Sequence, residues 1–293
     1  MNKADSRAII ALPIILLVAA LIAWAGSQGG YTVSGYPIFA LSVALAFVLQ
    51  WIAFIPAFIL QTEKFYDLMG SITYISITLI AVLLSPVVDA RTWLLLAMIS
   101  IWAIRLGFFL FQRVRAAGED RRFRDLKPSF ARFLLTWTLQ GLWVSLTVAA
   151  ALAAITTMTR RDLGFIGLLG FLVWLLGFGI EVIADQQKSR FRADPQNAGK
   201  FINTGLWSWS RHPNYFGEIV LWIGVAIIVI PVLSGWQWLT LISPIFVVVL
   251  LTRVSGVPML EKRADEKWGG QADYEDYIAR TSQLILRPPS AEK

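Results

Sequence analysis

The chain has 293 residues, 57% of them hydrophobic and only 15% charged, with a net charge of +7, a single histidine and no cysteine. The missing thiols exclude disulfides, cysteine nucleophiles and cysteine-ligated metals. One histidine is too few for a histidine-rich metal site, so no metal is expected. The excess positive charge forms no aromatic-interleaved basic module of the kind that grips nucleic acid.

Apolar runs of the length that crosses about 30 Å of hydrocarbon recur down the chain. Eight are read: Ala8–Ala25, Tyr36–Leu60, Met69–Val87, Thr92–Phe111, Phe133–Thr157, Leu163–Ile183, Tyr215–Val232 and Trp236–Leu251. Lipid offers no partner for backbone polar groups, so runs of this length mean helices. The expected fold is all-α, a polytopic integral membrane helical bundle of about eight transmembrane helices. It is read as one membrane domain over residues 1–293, with N-terminal helices in 1–60, central helices in 61–183 and a C-terminal core in 184–293. The first run lacks a small-residue cleavage site and is expected to be retained. The Gly26–Gly35 stretch is read as a short external turn. No internal repeat is seen.

Lysine and arginine placement sets the orientation. With the N-terminus inside, all of the 26 basic residues except Arg91, Arg105, Arg160 and Arg161 fall on cytoplasmic segments. An even helix count then puts both termini in the cytoplasm, and the basic surface attracts anionic lipid headgroups.

In chain order, the first polar residues of interest are Gln61, Glu63, Tyr66 and Asp67 near the start of the third run, then Tyr74, then Arg105 within the fourth. A Tyr-Asp pair at a membrane boundary has a plain reading as anchor and cap. An arginine well inside a span is costly and faces a cavity or a partner. It is expected to contact a cofactor or to pair with an acid such as Asp67 or Glu218. Asp185, Ser189 and Arg192 recur at helical spacing and carry the sixth helix beyond the membrane, with Lys188, Arg190 and Lys200 nearby. The loop Ala193–Gly205 reads as consecutive turns.

The stretch Ser210-Arg-His-Pro-Asn-Tyr-Phe-Gly-Glu218 holds the one histidine. Pro213 suits a first helical position, since its missing N–H would go unpaired there anyway. The helix it opens aims free N–H groups at an anion such as a phosphate. Asn214, Glu218 and Trp222 follow at four-residue spacing and share a face. Further on, Glu261, Asp265 and Trp268 share a helical face, and Tyr274 and Tyr277 lie a turn apart. Alone, Tyr274-Glu-Asp-Tyr277 also reads as a solvated amphipathic helix.

Together these residues carry a resemblance. Gly205-Leu-Trp-Ser-Trp-Ser-Arg-His-Pro-Asn-Tyr-Phe-Gly-Glu218, with the ending Glu261…Trp268-Gly…Tyr274-x-x-Tyr277…Leu286-Arg-Pro, resembles the C-terminal signature of the steroid 5α-reductase and sterol reductase superfamily. Within it, the chain is similar to a bacterial branch of unknown function (DUF1295-like). The resemblance is strongest from about Asp185 to Pro289. It implies a multi-pass enzyme of the bacterial cytoplasmic membrane that takes NADPH from the cytoplasm and a hydrophobic small-molecule substrate from the bilayer. It assigns the nicotinamide half to Asn214 and Glu218, with His212 and Tyr215, while Arg211 and Trp222 are cofactor-binding candidates assigned to neither half. Asp185, Arg192, Glu261, Tyr274 and Tyr277 take the rest, with Arg105 a further cofactor contact. No glycine-rich dinucleotide loop is present, so such a site is not of the Rossmann kind.

The same resemblance places Tyr66-Asp67 where steroid reductases carry a Gln-Glu pair that polarises the ketone, and Trp102 where they carry a tyrosine proton donor. Tyr66, Asp67 and Trp102 are thus the catalytic candidates. The departure at Trp102 makes Tyr66 or Tyr74 the proton donor, or makes the substrate something other than a steroid enone. An Arg-His-Pro-x-Tyr-x-Gly core is also shared with isoprenylcysteine and phospholipid methyltransferases, so an S-adenosylmethionine-dependent membrane methyltransferase is the alternative. A transporter would call for repeats and midplane charges that the sequence lacks.

Overall fold

The computed structural model describes residues 3–289. Among them are eight helices long and apolar enough to cross a membrane, and the chain is a polytopic, all-helical membrane protein. It divides into two compact units, one of Met1–Gly164 with Val229–Ser243, the other of Phe165–Ile228 with Pro244–Lys293.

The first unit holds α1 (Lys3–Ser27), α2 (Ile38–Ile59), α3 (Tyr66–Leu84), α4 (Ala90–Ala117) and α5 (Phe130–Thr156). Its centre is α5, which packs against all four of the others. Every residue of α5 from Val144 to Thr156 is buried. Five of these are alanines, and such small side chains let neighbouring backbones approach closely. At its other end, Phe133 and Trp137 join an aromatic cluster with Phe54, Phe123 and Tyr66. Asp89 caps α4 by accepting from Thr92 N at 2.8 Å, and Ser129 caps α5.

Two expectations for this unit are corrected. The third helix begins at Tyr66 and not Met69. A search for apolar runs stops short of Asp67, yet a carboxylate in the first turn complements the helix dipole. The Gly26–Gly35 stretch is more than a turn. After α1 ends, β1 (Thr32–Val33) and β2 (Tyr36–Pro37) pair antiparallel around Ser34 and Gly35. Both of those residues have positive φ, as the primed two-residue hairpin turn requires.

The second unit holds α6 (Gly164–Ala193) from Phe165, α7 (Pro213–Val229) to Ile228, α8 (Ile242–Val249) from Pro244, α9 (Val257–Trp268) and α10 (Ala272–Arg280). α6 carries its ten residues beyond Ile183 as helix, and α7 starts at Pro213, both as read from the sequence. α6 and α7 meet at paired glycines. A methyl group on Gly177 would fall 2.6 Å from Gly217 O, and one on Gly224 would fall 2.7 Å from Gly170 O. Gly170 and Gly177, like Gly217 and Gly224, are two turns apart, so each pair lies on one helix face.

The eighth apolar run is not one regular α-helix, which corrects the reading of Trp236–Leu251. It opens as a 3₁₀ segment at Gly235–Leu241, passes through α8 and ends in a π turn at Leu250–Val254. The chain then breaks at Gly256, where a Cβ would clash with Leu251 O and lie 2.9 Å from the Tyr215 ring.

Candidate functional site

The second unit contains a cavity of about 340 Å³. Its walls come from the end of α6 (Lys188, Arg192), the following loop (Lys200, Phe201), the segment before α7 (Trp207, Arg211, His212), α9 (Glu261, Arg263, Lys267, Trp268) and α10 (Tyr274, Tyr277). Six lysines and arginines face one carboxylate there. The cavity is thus an electropositive hollow with aromatic walls, suited to a flat, polyanionic ligand.

Glu261 organises the inner wall. Its Oε2 takes Arg211 Nη1 at 2.7 Å and its Oε1 lies 2.7 Å from His212 Nε2. Burial pushes His212 below its ordinary value, against an opposing effect from the Glu261 hydrogen bond. Above about pH 6.5 the ring is therefore neutral, and facing the Glu261 carboxylate a neutral ring carries its proton on Nε2. Nδ1 is therefore a bare acceptor, and it is buried with no hydrogen-bond partner among the described residues. The His212 ring also stacks on Tyr215 at 5.7 Å.

The segment that precedes α7 is pinned on several sides. Arg211 N donates to Ser282 O at 2.8 Å, Ser210 Oγ to Leu284 O at 2.8 Å, and Trp207 Nε1 to Ala184 O at 3.0 Å. Tyr277 closes the set by donating its hydroxyl to Trp207 O at 2.7 Å, while Tyr274 donates to Asp265 Oδ1 at 2.8 Å. Burial raises both phenols, for Tyr274 with the Asp265 bond in support, so both remain donors. Phe201 sits among Trp268, Tyr274 and Tyr277 at ring separations of 5.8, 5.3 and 5.3 Å. Trp268 Nε1 holds this loop by donating to Gly199 O at 2.6 Å.

Of the residues read from the sequence, Arg192, Arg211, His212, Glu261, Tyr274 and Tyr277 come together on this cavity. Asp185, Asn214, Tyr215, Glu218 and Trp222 lie outside its lining. Asn214 Nδ2 donates to Asp185 Oδ1 at 3.2 Å, Glu218 is half-buried, and Trp222 is fully buried. The remaining candidates belong to the first unit. Tyr66 donates its hydroxyl to Thr136 O at 3.0 Å, and Asp67 lies 3.8 Å from Arg113. Trp102 is buried edge-to-face against Tyr74 at 5.1 Å, and the Arg105 guanidinium lies over Phe109 at 5.5 Å. Arg263, Lys267, Trp207 and Phe201 were not singled out from the sequence. The signal available for the first two was their four-residue spacing beside Trp268.

The family model described as "Protein of unknown function (DUF1295)" matches residues 53–281. An uncharacterized protein of Schizosaccharomyces pombe is 23% identical over 211 residues, 62% of this chain and 60% of that protein. A Rattus norvegicus protein named 3-oxo-5-alpha-steroid 4-dehydrogenase 1 is 32% identical over 87 residues, 29% of this chain and 31% of the relative. The Mus musculus protein of the same name is 30% identical over 120 residues, 41% of each chain. The chain thus spans less than two thirds of the length of each of these relatives. No solved structure matches.

Proposed function

The chain belongs to the DUF1295 family, and from that premise we propose that it is a membrane-embedded, NADPH-dependent reductase of a carbon–carbon double bond in a hydrophobic, steroid-like or lipid substrate. The similarity to two proteins named as steroid 4-dehydrogenases supports the reaction class. The observation that carries the reading is the charge of the cavity, six cations against one carboxylate beside an aromatic cluster. Three phosphate groups and an adenine match those walls. The sulfonium of S-adenosylmethionine, which brings positive charge and no phosphate, does not.

At about 340 Å³, near the low end of roughly 300–1,000 Å³ for small-molecule sites, the cavity suits the adenosine-phosphate half of a dinucleotide. In this reading Lys188 and Arg192, one turn apart on α6, bind the pyrophosphate by charge-assisted hydrogen bonds. The bare Nδ1 of His212 accepts from a ribose hydroxyl, and Glu261 keeps it in the tautomer that can do so. Asn214 and Glu218 serve the carboxamide and hydroxyls of the nicotinamide half. When bound, the coenzyme supplies the hydride. In the first unit, Asp67 and Tyr66 orient the substrate's polar end. Trp102 offers no acidic proton, so Tyr66 or Tyr74 donates; for Tyr66 this requires giving up its bond to Thr136 O.

Equilibrium titration of the detergent-purified full-length chain with NADPH and with S-adenosylmethionine tests the proposal, alongside mass spectrometry for co-purified nicotinamide. NADPH is expected to bind. Binding of S-adenosylmethionine with none of NADPH would overturn the reading and favour the methyltransferase.

A further inference from the structure

We propose that Arg263 and Lys267 read the 2′-phosphate of the dinucleotide and so set the preference for the phosphorylated over the unphosphorylated nicotinamide coenzyme. This rests on the functional reading above and extends it to two side chains that neither the sequence motif nor the catalytic argument uses.

The six cations of the cavity are not equivalent. Arg211 is half-buried and its charge is matched by Glu261 at 2.7 Å. The half-buried Lys188 has its ammonium 4.2 Å over the Trp207 ring. Arg192, Lys200, Arg263 and Lys267 are exposed, and of these four only Arg263 and Lys267 lie one turn apart on one helix face, that of α9. The two kinds of phosphate in the coenzyme differ in the same sense. Each phosphodiester of the pyrophosphate carries one negative charge. The 2′-phosphate is a monoester with a charge of about −1.5 to −2 and three acceptor oxygens. A dianion is costly to strip of water, so it suits two exposed, adjacent cations better than the half-buried Lys188 and Arg211.

The aromatic groups fix which end of the ligand meets those two cations. Phe201, Trp268, Tyr274 and Tyr277 pack on the cavity wall in T-shaped and tilted contacts, and stacking of a base on an aromatic ring is a general means of holding an adenine. Trp268 is also the ring over which Lys267 places its ammonium, at 4.5 Å. An adenine held in this cluster brings its own ribose, and therefore the 2′ position, next to the α9 cations. The α6 pair, Lys188 and Arg192, is then left for the pyrophosphate.

The experiment is fluorescence titration of the full-length protein in detergent with NADPH and NADH, for wild type, Arg263→Gln/Lys267→Gln and the control Lys262→Gln. Lys262 is on the same helix but does not line the cavity. The double variant is expected to bind NADPH roughly 30-fold more weakly, a factor of about five for each of the two contacts, with NADH affinity changed less than about twofold. Competition supplies a second readout. 2′,5′-ADP should displace NADPH better than 5′-ADP from wild type, and the double variant should lose that difference. Equal weakening of both coenzymes, unchanged NADPH affinity, or a Lys262→Gln effect as large as the double variant's would each overturn this inference while leaving the reductase reading in place. A wild type that binds neither coenzyme would overturn both.

Discussion

Nε2 of His212 lies 2.7 Å from Oε1 of Glu261, a carboxylate 49 residues further along the chain. The other oxygen of that carboxylate holds Arg211, the residue directly before the histidine. One acid on α9 thereby fixes two adjacent side chains ahead of α7 and decides which ring nitrogen of His212 is free.

Burial holds His212 below its ordinary value of 6.5, so the folded state binds fewer protons than the unfolded state in the window between the two values. Stability therefore rises with pH across that window. His212 contributes fully above about pH 6.5 and loses that contribution as the pH falls towards its depressed folded value. Thermal midpoints in detergent should be flat with respect to this group above neutrality and fall on acidification. His212→Gln should flatten the acid limb, and an unchanged limb would refute the assignment.

Glu261→Gln should cost about 1–3 kcal/mol of stability, the range for losing a charged hydrogen-bond partner. Arg211 and His212 sit on different oxygens of Glu261, so in this geometry the single amide oxygen serves only one of them. The same change allows the amide N–H₂ to donate to Nε2 of His212 and move the ring proton to Nδ1. Nitrogen NMR of labelled histidine, the only one in the chain, should report a shift of tautomer between wild type and variant.

How much of this was legible beforehand depends on sequence distance. The helical spans followed from apolar length, and the start of α7 from Pro213, because both are local properties of the chain. The third helix was missed by one turn at Tyr66, since an acid in the first turn breaks an apolar run while favouring the helix. Gly256 and Pro258 mark the break after the eighth run locally, whereas the π turn before it has no such mark, and the Tyr215 ring against Gly256 lies 41 positions earlier. The cavity was half visible. Arg211, His212, Glu261, Tyr274 and Tyr277 stood out by motif. Arg263 and Lys267 have no local mark that separates them from other membrane-surface cations; the contact of α9 with the loop after α6, through Trp268 and Gly199, brings them to the cavity. Asn214 and Glu218 lie outside the lining of this hollow, Asn214 on Asp185.

The α6–α7 seam predicts a contrast between two glycines on one helix. A Cβ on Gly177 would lie 2.6 Å from Gly217 O, whereas Gly179 has nothing within 4 Å. Gly177→Ala should lower stability by about 1–3 kcal/mol through overpacking. Gly179→Ala should be neutral or slightly stabilising, since alanine favours the helix. Thermal unfolding of the two variants in the same detergent checks this, and equal effects would mean that the helices do not meet there.

In the first unit, Arg91 is buried and its Nη1 and Nη2 donate to the carbonyls of Arg161 and Asp162 at 2.6 and 2.9 Å. The residue thus ties the start of α4 to the segment that precedes α6. Arg91→Ala removes both donors and should cost about 2–4 kcal/mol. Arg91→Lys should restore little, because one ammonium on a flexible stem cannot reproduce the planar fork. The NADPH affinity of the folded fraction should be unchanged in both variants, which separates a structural staple from a ligand contact.

Nδ2 of Asn214 donates to the buried Asp185 at 3.2 Å. If the amide only satisfies that acid, Asn214→Ala costs stability and leaves coenzyme affinity intact. If it also holds the nicotinamide carboxamide, affinity falls as well. We expect both effects. A double-mutant cycle with Asp185→Ala should give a coupling of about 0.5–1.5 kcal/mol in unfolding. NADPH should bind Asn214→Ala about tenfold more weakly, the equivalent of one hydrogen bond of ~1.4 kcal/mol. Binding of 2′,5′-ADP, which has no nicotinamide end, should not change. An equal loss for both ligands would place Asn214 in the scaffold of the whole site, and no loss for either would remove it from the site.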